Sequence, residues 1–473
     1  MFFRRFYDDG LAQASYMVGC DGTREVVVFD ASRDIAQYLA VAAAERLRIT
    51  QVTETHIHAD FVSGSRELAA RTGAKLLLSA EGGTDWQYKF AASDGATLLK
   101  NGSSFTAGRV RFDVMHTPGH TPEHLAFLVT DLAASTRPVG MISGDFIFVG
   151  DVGRPDLLER AAKVANTMES AARDLFASLQ RTRELPDFLQ LWPGHGAGSA
   201  CGKALGSLPQ STLGYERVAN WGLTTTDENT FVREVLAGQP EPPPYFAEMK
   251  RMNRDGPRVL HDWPQPKRLD DAELRGTLAN LDLVIDTRSA DAFADGHARG
   301  TLNIPLGKSF STWCGWLVPY DRDVHLIALN QQEASRAAGE LAKIGLDRVA
   351  GWFAVDVLGA LAVNGTALER VAQTTSSAIA AQVTQGEVTV VDVRNSSEWS
   401  HGHLPRALHI PLGQLSQRLA EIPRERPVVV QCQGGTRSAI GASILQRLGL
   451  PNVINLRGGY DEWEREARPV SND

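Results

Sequence analysis

Apolar residues cluster with two different periods over the first two hundred positions. Val26-Val27-Val28-Phe29 is a short apolar run closed by the acid Asp30, whereas Asp34 to Leu47 repeats its apolar residues at helical spacing,. Lys75 to Leu78 and Val110 to Val114 read as further strands,. Strands alternating with helices predict α/β layers. The pattern changes between positions 205 and 265. Pro240, Pro242, Pro243 and Pro244 come first, then Asn253, Gly256 and Pro257, which predicts a helical extension followed by a linker,.

Beyond the linker the chain repeats itself. Val284-Ile285-Asp286-Thr287-Arg288 recurs as Val390-Val391-Asp392-Val393-Arg394, Gly296-His297 as Gly402-His403, and Ile304-Pro305-Leu306-Gly307 as Ile410-Pro411-Leu412-Gly413, all at one offset of 106 residues. Each copy reads strand, turn, strand, helix, which fits a small α/β domain. The predicted organisation is one large domain over 1–262, a first small domain over 263–370 and a second over 371–473. The two copies differ at one place. Val428-Val429-Val430-Gln431-Cys432 ends a strand in a cysteine, whereas Leu326-Ile327-Ala328-Leu329-Asn330 has none.

Composition narrows the class. The 473 residues are 43% hydrophobic and 22% charged, as in a globular protein of two to four domains,. A net charge of -8 is the wrong sign for a nucleic-acid binder,. No apolar run reaches about 18 residues, so no membrane span is expected. The start, Met1-Phe2-Phe3-Arg4-Arg5, has no apolar signal core, and a cytoplasmic location is the expectation,. Cys20, Cys201, Cys314 and Cys432 lie far apart, which suits a reducing compartment,.

Candidate chemistry sits on loops after predicted strands. Six of the twelve histidines fall in three short windows, at 56–58, 116–124 and 195, and this concentration marks a site rather than scattered surface residues. His56, His58 and Asp60 share the first loop; His120 lies in His116-Thr117-Pro118-Gly119-His120, Asp145 in Ser143-Gly144-Asp145, and His195 in Pro193-Gly194-His195. Imidazole and carboxylate ligands suit zinc, iron or manganese. Two histidines with one carboxylate, leaving positions open, is the arrangement of mononuclear non-haem iron(II) oxygenases. Arg154 is a candidate anion holder or a structural partner of Asp156. Cys201, just after the His195 loop, is a candidate sulfur relay or a buried inert thiol.

The second candidate is the loop Cys432-Gln433-Gly434-Gly435-Thr436-Arg437. Its two glycines permit a tight curve of backbone N–H groups before a helix, a cradle that stabilises a thiolate or a sulfur anion. Cys432 is the expected nucleophile, with Arg437 orienting the sulfur-bearing anion. Protein phosphatases use a related Cys-x5-Arg loop, but Cys432 to Arg437 is Cys-x4-Arg, one residue shorter, and Asp392, Arg394 and Gly402-His403 favour a sulfurtransferase.

Taken together, Thr55-His56-Ile57-His58-Ala59-Asp60, His116-Thr117-Pro118-Gly119-His120-Thr121 and the run from Gly144 to Asp156 resemble the persulfide dioxygenases. The two small domains resemble rhodaneses, the first without its cysteine. The resemblance implies a metallo-β-lactamase αββα sandwich followed by two rhodanese-like domains. It implies one iron(II) per chain on His56, His120 and Asp145, with His58 and Asp60 supporting those ligands. Asp60 and His195 could form a weak second site with Asp145, but a supporting role through hydrogen bonds is favoured for both. In dinuclear hydrolases of this fold a histidine follows the aspartate of the first loop; here it is Phe61, whose ring has no lone pair to give. That favours one metal and oxygen chemistry over a two-zinc, glyoxalase II-like thioester hydrolase. The implied activity is oxidation of a low-molecular-weight persulfide by O2 to sulfite, coupled to sulfane-sulfur transfer at Cys432 that makes or uses thiosulfate. Neither nucleic acid nor membrane is an expected partner, and a homo-oligomer is compatible with the sequence.

Overall fold

The computed structural model describes residues 1–160, 167–203, 205–363 and 365–472. The chain divides into two compact units, Met1–Trp263 with Ala342–Gly345, and Pro264–Leu341 with Leu346–Asp473.

Two six-stranded sheets build the first unit. One runs, edge to edge, through Phe2–Asp8, Gln13–Cys20, Glu25–Phe29, Arg48–Thr53, Lys75–Ser79 and Thr97–Leu99. The other runs through Ser211–Thr212, Gln190–Pro193, Gly140–Gly144, Leu125–Asp131, Val110–His116 and Ser104–Ala107. Strand alternation decides the layers. Val27 and Phe29 join Phe112, Phe127, Ile142 and Trp192 in one core between the sheets. Val26 and Val28 point the other way, against Tyr38 and Leu68 of the helices Ala36–Ala44 and Ser65–Thr72. Met141 and Leu191 bury the outer face of the second sheet against Leu175 and Leu179 of Met168–Arg181 and Phe231 of Glu228–Leu236. The result is the αββα sandwich.

One expectation fails here. The segment read as a linker holds a helix, Phe246–Asp255, with Phe246, Met249 and Asn253 buried. The proline run precedes it, where the missing N–H groups cost nothing to a helix that has not begun.

The second unit carries two five-stranded, all-parallel sheets of identical order. The first is Arg268–Leu269, Val349–Ala354, Val324–Ala328, Leu283–Asp286, Leu302–Asn303; the second is Ala372–Thr374, Val453–Leu456, Val428–Gln431, Thr389–Asp392, Leu408–His409. Small repeated details match the repeated sequence. Arg288 chelates Asp286 as Arg394 chelates Asp392, and His297 stacks on Phe293 as His403 stacks on Trp399. Among the described residues no helix is long and apolar enough to cross a membrane.

Candidate metal centre and sulfur-transfer loop

His56, His120 and Asp145 follow three different strands, yet their donor atoms all lie within 4.8 Å of one another, and all three residues are buried. Asp145 Oδ2 stands 3.9 Å from His56 Nε2 and 3.4 Å from His120 Nε2. The other ring nitrogens are spoken for. Thr55 Oγ1 donates to the Asp30 carboxylate, so it accepts from His56 Nδ1–H at 2.9 Å. His120 Nδ1–H donates to the Arg154 carbonyl at 3.0 Å, which leaves each Nε2 lone pair facing Asp145,. Burial pushes the pKa of both imidazoles down, so they stand neutral, the form that binds a metal,.

Asp145 itself is fully buried, and among the described residues neither carboxylate oxygen has an N–H or O–H donor; the Cys201 thiol lies beside it. A buried carboxylate without donors is costly unless a cation answers it. The backbone N–H of Asp145 is held by His124 Nε2 at 3.1 Å, and His124 Nδ1–H donates to Thr117 Oγ1. His124 thus positions the aspartate and offers no free nitrogen.

His58 turns away from the trio. Its Nε2 lies 3.0 Å from Asp30 Oδ1, and its ring packs 4.4 Å from that of Phe61. Burial opposes its charge, but Asp30, Glu54 and Asp60 outweigh burial and push its pKa up to about 9. Asp60, His195 and Cys201 form a second buried group with donor atoms within 4.8 Å. His195 Nδ1–H donates to the Ala12 carbonyl, and His195 Nε2 sits 3.3 Å from Asp60 and 3.4 Å from Asp145. Burial pushes the Cys201 thiol well up, and the Asp60 and Asp145 charges add to it.

Cys432 directly follows the strand Val428–Gln431 and precedes the helix Thr436–Arg447. Gly435 N–H points at its Sγ from 3.1 Å, with Ser438 Oγ at 3.6 Å. Gly435 makes the turn in a left-handed conformation (φ 98°) that side chains resist,. The equivalent strand of the first copy, Val324–Ala328, runs on into Leu329 and Asn330. Cys314 lies on the helix Phe310–Leu317 instead, fully buried, its thiol pushed up by that burial.

Residues 8–195 match the metallo-beta-lactamase superfamily, and residues 375–466 match the rhodanese-like domain. The crystal structure of a metallo-beta-lactamase from Staphylococcus aureus is 39% identical with a TM-score of 0.67, covering 75% of this chain and 99% of its own. The chain belongs to the metallo-β-lactamase superfamily. Its rhodanese-like part is 38% identical over 84 residues to a sulfurtransferase from Allochromatium vinosum, 18% of this chain and 78% of that protein. A hydroxyacylglutathione hydrolase from Polaromonas is 30% identical over 183 residues, which is 38% of this chain and 61% of that enzyme.

Both candidate arginines of this metallo-β-lactamase–rhodanese fusion are paired with carboxylates, and for Arg154 this is the structural alternative already open in the sequence. Arg154 is no anion holder. It is fully buried, Asp156 fills its fork at 2.8 and 2.7 Å, and the carbonyls of Ala200 and Pro240 take further N–H groups. It is scaffold for His120 and for the Cys201 segment. Arg437, expected to orient a sulfur-bearing anion, has its guanidinium paired with Glu398 at 2.7 and 2.5 Å. Other residues escaped the sequence reading. Asp30 anchors Thr55 and His58, and its signal was an acid closing an apolar strand. Glu123 accepts the Ile57 N–H between the two loop histidines at 2.7 Å. Asn253 clamps the same loop from the unforeseen helix, donating to the His58 and Phe61 carbonyls and accepting from Ser63 N–H.

Proposed function

We propose that this fusion oxidises a low-molecular-weight persulfide at one iron(II) ion and moves sulfane sulfur at Cys432. The carrying observation is Asp145, a buried carboxylate with no N–H or O–H donor among the described residues, facing two neutral imidazoles. Two imidazoles and a carboxylate suit iron(II) and leave positions for two small ligands. When bound, iron supplies electrons to dioxygen and a soft partner for sulfur. The chain's own residues do the rest. Thr55 and the Arg154 carbonyl hold the imidazoles in the ligating tautomer, and His124 fixes Asp145. Burial keeps bulk water from the reacting sulfur. The neutral Cys201 thiol beside the site adds no charge to repel an anionic persulfide. In balance, a persulfide, O2 and water give the thiol, sulfite and protons. A sulfane-sulfur cysteine on the same chain supports this sulfur reading over other oxygen chemistry.

One observation favours a second reading. Asp60, His195 and Cys201 supply three donors beside Asp145, which would suit a second metal and a thioester hydrolase, as the similarity to hydroxyacylglutathione hydrolase suggests. Phe61, where a further ligand would stand, and the protonated Cys201 thiol weigh against it. Elemental analysis with an oxygen electrode separates the two. One iron per chain and O2 uptake with glutathione persulfide are expected, both lost in Asp145→Ala. Two zinc ions and turnover of S-lactoylglutathione would establish the hydrolase instead.

A further inference from the structure

A cleft of about 340 Å³ reaches the Cys432 loop at Gln433, and its lining includes Arg394, Glu398, His401, Tyr460 and Glu464. Arg394, on this cleft, and Arg437, on the loop itself, are both already committed. Arg394 is buried; it chelates Asp392, donates to the Gly402 carbonyl and to Gln433 Oε1, and lies 4.1 Å over the Tyr460 ring. Arg437 is held fork to fork by Glu398, with Nη1 to Oε2 at 2.7 Å and Nη2 to Oε1 at 2.5 Å.

Glu398 does not merely drift into this position. It is the third residue of a capping box: Asn395 N–H donates to Glu398 Oε2 at 3.1 Å, and Glu398 N–H donates to Asn395 Oδ1 at 2.8 Å,. The carboxylate is therefore fixed from its own helix as well as by the guanidinium. A bidentate arginine is the group a protein uses to hold a planar or tetrahedral oxyanion. Here an internal carboxylate fills that place.

We infer that Glu398 is a specificity-determining residue: by occupying Arg437 it makes Cys432 exchange sulfane sulfur with thiol persulfides and discriminate against sulfonyl oxyanions such as thiosulfate and sulfite. This rests on the sulfurtransferase half of the proposed function and refines it. Thiosulfate must bring a doubly charged sulfonate to an arginine whose carboxylate partner stays behind, unpaired and repelling. A thiol persulfide carries no sulfonate on its sulfur pair, so the N–H cradle suffices for it. In that step the Cys432 sulfur forms a bond to the terminal sulfur of R–S–SH. The R–S to sulfur bond breaks, its electron pair leaves with the thiol sulfur, and the proton from Cys432 goes to it. The products are R–SH and a Cys432 persulfide, with no net oxidation.

Loading of one sulfur atom on Cys432 of the full chain, followed by mass spectrometry, tests this with thiosulfate and glutathione persulfide as donors. The wild type is expected to load from the persulfide at least about tenfold faster than from thiosulfate. Glu398→Gln is expected to raise the thiosulfate rate about tenfold while changing the persulfide rate less than about threefold. Equal wild-type rates from both donors overturn the inference and leave sulfur transfer standing. So does a Glu398→Gln protein that loads from persulfide but gains nothing with thiosulfate. Loss of both rates in Glu398→Gln and Glu398→Ala alike assigns Glu398 to loop scaffolding and overturns it too. A wild type that loads from neither donor removes the sulfurtransferase reading itself.

Discussion

Arginine and glutamate side chains are where this protein departs most from what its motifs announce. A motif arginine is read as a ligand for anions, yet Arg154 spends every direction of its fork on Asp156 and on carbonyls. Its replacement is therefore a stability event. Arg154→Met is expected to cost about 3–5 kcal/mol, as when one partner of a buried pair is removed. Urea unfolding measures it, while the persulfide KM of the folded fraction stays unchanged. Glu123 carries a pH signature. It is fully buried, and that burial pushes its carboxyl up to about 7 from an ordinary 4.5. The folded state thus holds a proton that the unfolded state releases, so stability drains away as pH rises from about 4.5 through about 7,. Glu123→Gln cannot lose that proton. Its unfolding midpoint is expected to match the wild type near pH 4 and exceed it increasingly towards pH 8.

At the scale of elements, the helix Phe246–Asp255 explains how a loop can hold candidate metal ligands still. Asn253 ties three backbone groups of the stretch from His58 to Ser63, all buried, to one side-chain amide. Asn253→Leu is expected to lose about 2–3 kcal/mol of stability, because it strands buried N–H and C=O groups. Metal content measured after dialysis should fall in the same variant. This helix was hidden by its neighbours. Four prolines precede it and Gly256-Pro257 follow, so its punctuation reads as a linker, and only packing of Phe246 and Met249 makes it a helix. The strands were plainer. Val26 to Phe29 and Val110 to Val114 form where the apolar pattern places them, since half of every such strand must face a core,. The helix predicted over Asp34 to Leu47 is there, shortened to Ala36–Ala44.

For the whole molecule, the candidate metal ligands and Cys432 belong to different compact units, so the two proposed chemistries are expected to separate by mutation. Cys432→Ser is expected to leave O2 consumption within about twofold of wild type, and His120→Ala to abolish it while sulfur loading on Cys432 continues. Parallel oxygen-electrode and mass-spectrometric assays on both variants check this. The sequence alone determined the layered α/β units, the duplicated domain with one cysteine missing, and which histidines and carboxylates were candidates, because period, repetition and residue chemistry are written along the chain. Only the tertiary structure decided how those groups are spent. It turned His58 towards Asp30, gathered Cys201 beside Asp60 and His195, and closed Arg437 on Glu398. The reason is physical: a side chain's role depends on which partner reaches it first in space, and partners drawn from distant strands and helices leave no mark on local spacing.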